Sequence, residues 1–235
     1  DFYGIGSGSM SKTFNKVKTV PGAETYELND FLSGTAVVEG QPVGTFYSYR
    51  FAGLSPVDGG PYFYDWEDRW NELKDRGNYF IYTSVLTPSG RREPDITGSF
   101  NNTITYRQWR LGFTLIYNLG AKTRLFRLFD GLNGTGYSSE QNVSRDMLDR
   151  WMKPGDEQHT NIPAIFGYGN PANQYYSSHW ADPGLSGWSG NPAIATNSWT
   201  MYDYSDVRVV SGDYLKLSTV NLTYELSEKQ LAKLK

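Results

Sequence analysis

The chain has 235 residues, a net charge of −3 and a mean hydropathy of −0.55. It has no cysteine, which excludes a disulfide scaffold and any thiolate metal site, and no basic stripe that would mark a nucleic-acid partner. Aromatic residues reach 16%, led by 18 Tyr; such side chains, apolar with a polar tip, collect at membrane interfaces and on sugar- or peptide-binding surfaces.

The chain opens mid-pattern on Asp1-Phe2-Tyr3-Gly4-Ile5-Gly6, a strand-like string, and reads as a processed or excised piece of something longer. Across Gly44 to Phe51, Tyr47, Tyr49 and Phe51 alternate with Phe46, Ser48 and Arg50. This predicts a strand over about 44–52, introduced by Gly40 and Pro42. An irregular stretch follows over about 53–95, with turn chemistry at Asp58-Gly59-Gly60-Pro61 and Pro88-Ser89-Gly90. Within it, Asp65 to Arg76 predicts a short helix, with Trp66, Trp70 and Leu73 on one face. That stripe is either a packing face or an aromatic ledge for a ligand.

Phe100 to Tyr117 predicts a hairpin, with strands over about 98–107 and 109–119. Phe100, Asn102, Ile104 and Tyr106 share one face, and Trp109, Leu111, Phe113, Leu115 and Tyr117 continue it beyond a tight turn at Arg107-Gln108. Each strand has the roughly ten residues needed to cross a tilted barrel wall, with aromatics near both ends. Barrel strands alternate in polarity, so a low mean hydropathy and the lack of a long apolar run are compatible with a membrane wall.

A second long connection covers about 120–206. It holds a predicted helix over Val143–Lys153, stopped by Pro154-Gly155, with Val143, Met147 and Trp151 on one side and Leu148 adjacent. Tyr175, Tyr176, Trp180 and Trp188 follow among Asn, Ser and Gly. The last strand covers about 213–225. Val220, Leu222 and Tyr224 share one parity while Leu215 and Leu217 have the other, which implies a β-bulge or phase slip near Ser218, or else a change from loop-side to membrane-side burial. Ser227 and Gln230 then fit a capping box for a helix over Glu228–Leu234. If the 44–52 strand runs outward, both long connections fall on one side of a membrane and the tight turn on the other, the asymmetry of outer-membrane barrels.

Four strings, in order, resemble the SusC/RagA-type TonB-dependent outer-membrane transporters: VPGAETYELNDFLSGTAVVEGQPVGTFYSYRFAGL, PDITGSFNNTITYRQWRLGFTLIYNLG, NVSRDMLDRWMKPGDEQHTNIP and SDVRVVSGDYLKLSTVNLTYELSEKQLAKL. In the last, the matching residues are Ser205, Asp206, Tyr214, Leu215, Lys216, Leu217, Val220, Leu222 and Tyr224. The resemblance implies a late segment of one large barrel, without the plug domain. It also implies an outer-membrane location and a SusD-like surface lipoprotein as partner. TonB would engage through a region outside this chain, and the cargo would be glycans or oligopeptides.

The fold expected is therefore all-β: an antiparallel transmembrane barrel segment with long extracellular loops carrying short helices. Lipid would face Phe100, Ile104, Tyr106, Trp109, Leu111, Phe113, Leu115, Tyr117, Val220, Leu222 and Tyr224. Ligand or partner contact is expected from Trp66, Trp70, Tyr175, Tyr176, Trp180 and Trp188. No catalytic constellation is nominated. His159 reads as a loop histidine, Asp156 and Glu157 lack calcium-loop spacing, and no cofactor is expected. The alternative is a secreted all-β carbohydrate-binding module, which explains the aromatics but not the one-sided loops.

Overall fold

The computed structural model describes residues 2–64, 69, 72–73, 75–129, 136–137, 140–167, 169–177, 194 and 197–233. Its strands in chain order are β1 Phe2–Lys12, β2 Thr45–Ser48, β3 Phe51–Leu54, β4 Pro61–Phe63 and β5 Thr87–Arg91. They continue as β6 Ile96–Tyr106, β7 Trp109–Leu119, β8 Lys122–Arg124, β9 Val209–Ser211 and β10 Tyr214–Tyr224. The chain divides into two compact units. The first holds 1–15, 92–122 and 211–235, and the second holds 16–91 and 123–210.

The first unit is one antiparallel sheet in the order β1-β6-β7-β10, each strand 11 residues long. β6 and β7 meet at the expected tight turn, where Tyr106 pairs with Trp109 and Arg107 takes φ 53°. The register also shifts between Leu217 and Thr219, as the parity break predicted. Its effect is to move Leu215 and Leu217 opposite Tyr117 and Leu115, onto the face that carries Val220 and Leu222. The sheet is open among the described residues.

β1 was legible only as the strand-like opening string. It pairs with β6 over its whole length, from Phe2↔Tyr106 to Lys12↔Ile96. Gly4, Gly6 and Gly8 occupy every second position, so it lacks the aliphatic alternation that marks a strand in a sequence.

The predicted 44–52 wall strand is corrected. It forms two short strands in the second unit, β2 paired with β5 and β3 paired with β4. Phe46, Tyr47, Ser48 and Tyr49 are all buried, so both faces are covered and neither can meet lipid. Pro88 lies in β5 opposite Tyr47, a position a proline can hold in a two-stranded ladder.

The helices also differ from expectation. The 65–76 helix lies largely outside the described residues. A helix not foreseen covers Asn78–Val85 and buries Ile81, Tyr82 and Val85. In place of a helix over Val143–Lys153 there is a 3-10 turn, Arg145–Asp149, capped by the Ser144 hydroxyl accepting from the Asp146 N–H. Met147 and Trp151 do point inward, but Val143 and Leu148 are exposed. Glu228–Leu231 is helical with the expected Ser227–Gln230 capping box.

Two apolar clusters fill the second unit. One gathers Phe31, Tyr47, Tyr49, Ile81, Tyr82 and Met201; the other gathers Phe129, Met147, Trp151, Phe166, Trp199 and Tyr202. Arg124 ties chain segments together between them. Its Nη1 donates to the Leu32 carbonyl at 2.8 Å, and Nη2 donates to the Tyr47 carbonyl at 2.8 Å and the Ser48 hydroxyl at 2.9 Å. Its guanidinium also lies over the rings of Phe46 and Tyr204.

Candidate functional site

The sheet of the first unit has two chemically distinct faces. Register places Phe100, Ile104, Tyr106, Trp109, Leu111, Phe113, Leu115, Tyr117, Val220, Leu222 and Tyr224 on one of them. Phe2, Met10, Leu215 and Leu217, missed or misassigned from sequence, join that face. It stays open: Met10 is 74% exposed, Leu215 70% and Leu222 65%. Polar residues on it are Asn102, seated over Gly6, and Lys12 at the far end.

The opposite face is mostly small and polar, with Tyr3, Ile5 and Ile116 as its large apolar members and Arg110 and Lys216 as its cations. Ser7, Ser9 and Ser11 lie beside Asn101, Thr103 and Thr105, then Thr114, and then Thr219, Asn221 and Thr223. Hydrogen bonds across it include Ser9 with Ser99 at 2.9 Å and the Thr114 hydroxyl to Asn101 Oδ1 at 2.8 Å.

Phe2, Tyr106, Trp109 and Tyr224 form one row across all four strands, next to the tight turn. Trp109 and Tyr224 touch, with ring centroids 4.7 Å apart. From this row to the Lys12, Ile96 and Leu119 row is about 33 Å along a strand, or roughly 25 Å of height at barrel-like tilt. That matches the apolar band of an outer-membrane barrel. Both long connections leave the sheet from the far end, at Lys12, Ile96, Leu119 and Tyr214. There Asp213 Oδ1 accepts from the Gly120 N–H at 2.6 Å.

The second unit carries the residues proposed for recognition. Trp66, Trp70, Trp180 and Trp188 lie outside the described residues. Tyr175 is on the helix Ala172–Ser177 and 52% exposed, with its ring edge-on to Tyr176 at a centroid distance of 4.9 Å. Tyr176 is corrected from a contact residue to a core residue, 2% exposed. Its ring lies against Gly60, Phe166 and Trp199, and its hydroxyl donates to Asp58 Oδ1 at 2.9 Å. Burial and then the Asp58 carboxylate push its phenol well above the usual tyrosine range.

The Trp-x-x-Pro-Gly-Asp string proves to be a self-capped turn. Asp156 Oδ2 accepts from the Met152 and Lys153 N–H groups, and Glu157 Oε2 accepts from Trp151 Nε1 and the Gly155 N–H. Its own backbone N–H, then the Trp151 and Gly155 N–H donors, hold the Glu157 carboxyl below its ordinary value. The acids therefore serve the turn, and they fix Trp151 against Gly59.

Two open clefts lie in this unit. One, of about 590 Å³, is lined by Glu27, Asn29, Asn78, Arg127, Thr200 and Tyr204, among others. The other, of about 350 Å³, has Trp151, Ala164 and Phe166 in its lining, together with Val57, Met152 and Asn170. Sequence reasoning nominated neither. Their residues come from segments more than a hundred positions apart, with no local motif.

The Ser205-Asp206 pair of the last of the four strings also has a structural explanation. Tyr49 bridges to Ser205, and the Asp206 N–H donates to the Tyr49 carbonyl at 3.0 Å. Asp206 Oδ1 then accepts from the Phe51 N–H at 3.1 Å. The pair stitches β3 to the 204–208 segment.

No family model and no curated protein matches the chain. Solved structures do. The RagAB peptide transporter matches over 99% of this chain with a TM-score of 0.61 at 18% identity. The RagAB peptide importer in its open-open state matches over 97% with a TM-score of 0.58, also at 18% identity. This chain spans 22% and 21% of those chains, respectively. The chain is thus similar in fold to about a fifth of a RagAB transporter chain, carrying both the two-faced sheet and the unit built on its long connections.

Proposed function

We propose that this chain is a wall-and-loop segment of an outer-membrane, TonB-dependent nutrient importer. The importer takes up glycans or oligopeptides together with a SusD-like surface lipoprotein, and TonB engages it outside this chain. The observation that carries the reading is the four-stranded sheet. It has one largely apolar face, one face rich in hydroxyl and amide side chains, and both long connections at one end. In water an open apolar face of this size is a liability; against lipid it is the favourable arrangement, with the polar face toward the barrel interior. The 123–210 segment, with its clefts and exposed Tyr175, is the outward part that meets cargo or lipoprotein. Its fold likeness to a peptide transporter supports the same reading.

Adjacent residues on opposite faces give the test. Val220 pairs with Phe113 on the apolar face, and Asn221 pairs with Gly112 on the polar face, where there is room for a long side chain. In the full-length parent, Val220→Arg places a cation near the middle of the lipid face, costing about 2–4 kcal/mol. Asn221→Arg places the same cation toward the interior and is expected to be tolerated. Recovery in the outer-membrane fraction with heat-modifiable gel mobility should fall for Val220→Arg alone. Equal recovery of both variants, or a parent that is a soluble monomer without detergent, sinks the proposal.

A further inference from the structure

The tight-turn end of the sheet carries an asymmetric charge pattern. Arg107 stands in the turn, its guanidinium 5.3 Å above the ring of Tyr106. Beyond β10 the chain bends through Leu226 into the Glu228–Leu231 helix. Gln230 fastens that helix to the sheet: its Nε2 donates to the Tyr224 hydroxyl oxygen at 2.8 Å. Tyr224 belongs to the apolar face, so the helix is held at the end of that face, level with the Phe2–Tyr106–Trp109–Tyr224 row.

The helix is small and amphipathic. Leu226 and Leu231 are 44% and 49% exposed. Lys229, inside the helix, and Lys233, two residues past its last residue, are both exposed. The acids here are otherwise engaged. Glu225 pairs with Arg110 at 3.1 Å, on the polar face, and Glu228 occupies the first helical turn, where the helix dipole favours it. Arg107, Lys229 and Lys233 thus form a basic rim just beyond an aromatic row. The far end of the sheet mixes signs, with Asp95 and Asp213 around Gly120 and Lys12 and Lys122 beside them.

We infer that this rim binds the headgroups of anionic phospholipids in the membrane leaflet nearest the tight turn. The inference rests on the membrane-wall reading above. Aromatic rings sit at the headgroup boundary. Cations one step farther out meet the phosphates, and exposed leucines enter the boundary region as in interfacial helices. Basic side chains next to a membrane attract anionic lipid.

The test uses the full-length parent, extracted in detergent and incubated with vesicles of phosphatidylglycerol and phosphatidylcholine in equal amounts. Retained lipid is quantified by mass spectrometry. The wild type should retain phosphatidylglycerol preferentially. Each of Arg107→Gln, Lys229→Gln and Lys233→Gln should lower that preference up to about fivefold, and the triple variant should abolish it. Lys216→Gln, the same charge change on the polar face, should leave it intact. A triple variant that keeps the preference overturns the inference, as does equal loss with Lys216→Gln or lipid-independent capture of a soluble protein at the rim. A wild type with heat-modifiable mobility but no lipid preference overturns it while leaving the importer reading standing. Absence of heat-modifiable mobility in the wild type overturns the importer reading itself.

Discussion

Asp203→Ala is expected to unfold much of the second unit. Asp203 is 1% exposed, at the end of the helix Ser198–Asp203. Its Oδ1 accepts from the Leu128 N–H and its Oδ2 from the Phe129 N–H, both at 2.8 Å. Alanine leaves two buried donors without an acceptor, at about 1–3 kcal/mol each. Leu128 and Phe129 both belong to the apolar cluster around Trp199 and Tyr202, so the loss falls where the 123–210 segment is joined. Asp203→Asn keeps one acceptor but turns its amide toward the other N–H, and should cost about half as much. Hydrogen exchange at Leu128 and Phe129 reads this directly. Unchanged protection in Asp203→Ala refutes the account.

The same residue gives an unusual pH dependence. Burial raises the Asp203 carboxyl from 3.8 to about 6, against the lowering effect of the two N–H donors and then of Arg208 and Arg127. The folded state therefore holds this proton more tightly than the unfolded chain. Stability from this group is greatest below the unfolded value, near pH 4. It falls as pH rises toward about 6 and is flat above that. The full swing is up to about 3 kcal/mol. Exchange protection at Leu128 and Phe129 should thus strengthen between pH 7 and pH 5, once intrinsic exchange rates are corrected for. In Asp203→Asn this slope should vanish. A wild type whose corrected protection weakens on acidification contradicts the assignment.

The four-stranded sheet was largely legible in the sequence, and the second unit was not. Strands β6, β7 and β10 face two different environments, so polarity alternates residue by residue and the pattern can be read directly. Even the bulge showed, because one extra residue at Ser218 inverts parity for Leu215 and Leu217. β1 was less legible because the three central positions of its apolar face, Gly4, Gly6 and Gly8, are glycines. Around Phe46–Tyr49 the alternation of aromatics was real but misleading. Both faces are buried, so alternation there carries no information about which side meets solvent or lipid. Tyr176 was misjudged for a related reason. Its neighbours Asn173, Ser177 and Gly169 are those of a surface loop, and the partners that bury it, Gly60 and Trp199, are remote in sequence. The tie at Arg124 was invisible because three of its acceptors are oxygens on segments around Leu32 and Tyr47, far along the chain.

Gly60→Ala is the second substitution with a large expected effect. A Cβ at Gly60 would stand 1.9 Å from Tyr176 Cζ and 2.4 Å from two further ring atoms. The ring cannot easily retreat. Its hydroxyl is held by Asp58, and Phe166 and Trp199 pack on it with centroids at 5.4 and 5.8 Å. Gly59 beside it takes φ 74° and lies under the Trp151 indole, where a Cβ would come within 2.3 Å. Overpacking of a core usually costs about 1–3 kcal/mol, and an overlap this deep against a braced ring belongs at or above the top of that range. Limited proteolysis of the parent should show faster cleavage between Met147 and Tyr176 in Gly60→Ala. The diagnostic is the double variant. Tyr176→Ala alone destabilises by leaving a cavity, but it also removes the atoms that collide with the new methyl. Gly60→Ala combined with Tyr176→Ala should therefore cost clearly less than the sum of the two single changes. Strict additivity would mean the strain lies elsewhere than in the Gly60–Tyr176 contact. The consequence reaches the candidate site, because Asp58 and Trp151 line the 350 Å³ cleft whose shape that contact sets. Two glycines that read in the sequence as an ordinary turn are the reason two large aromatic rings can close over the loop and leave a defined opening beside it.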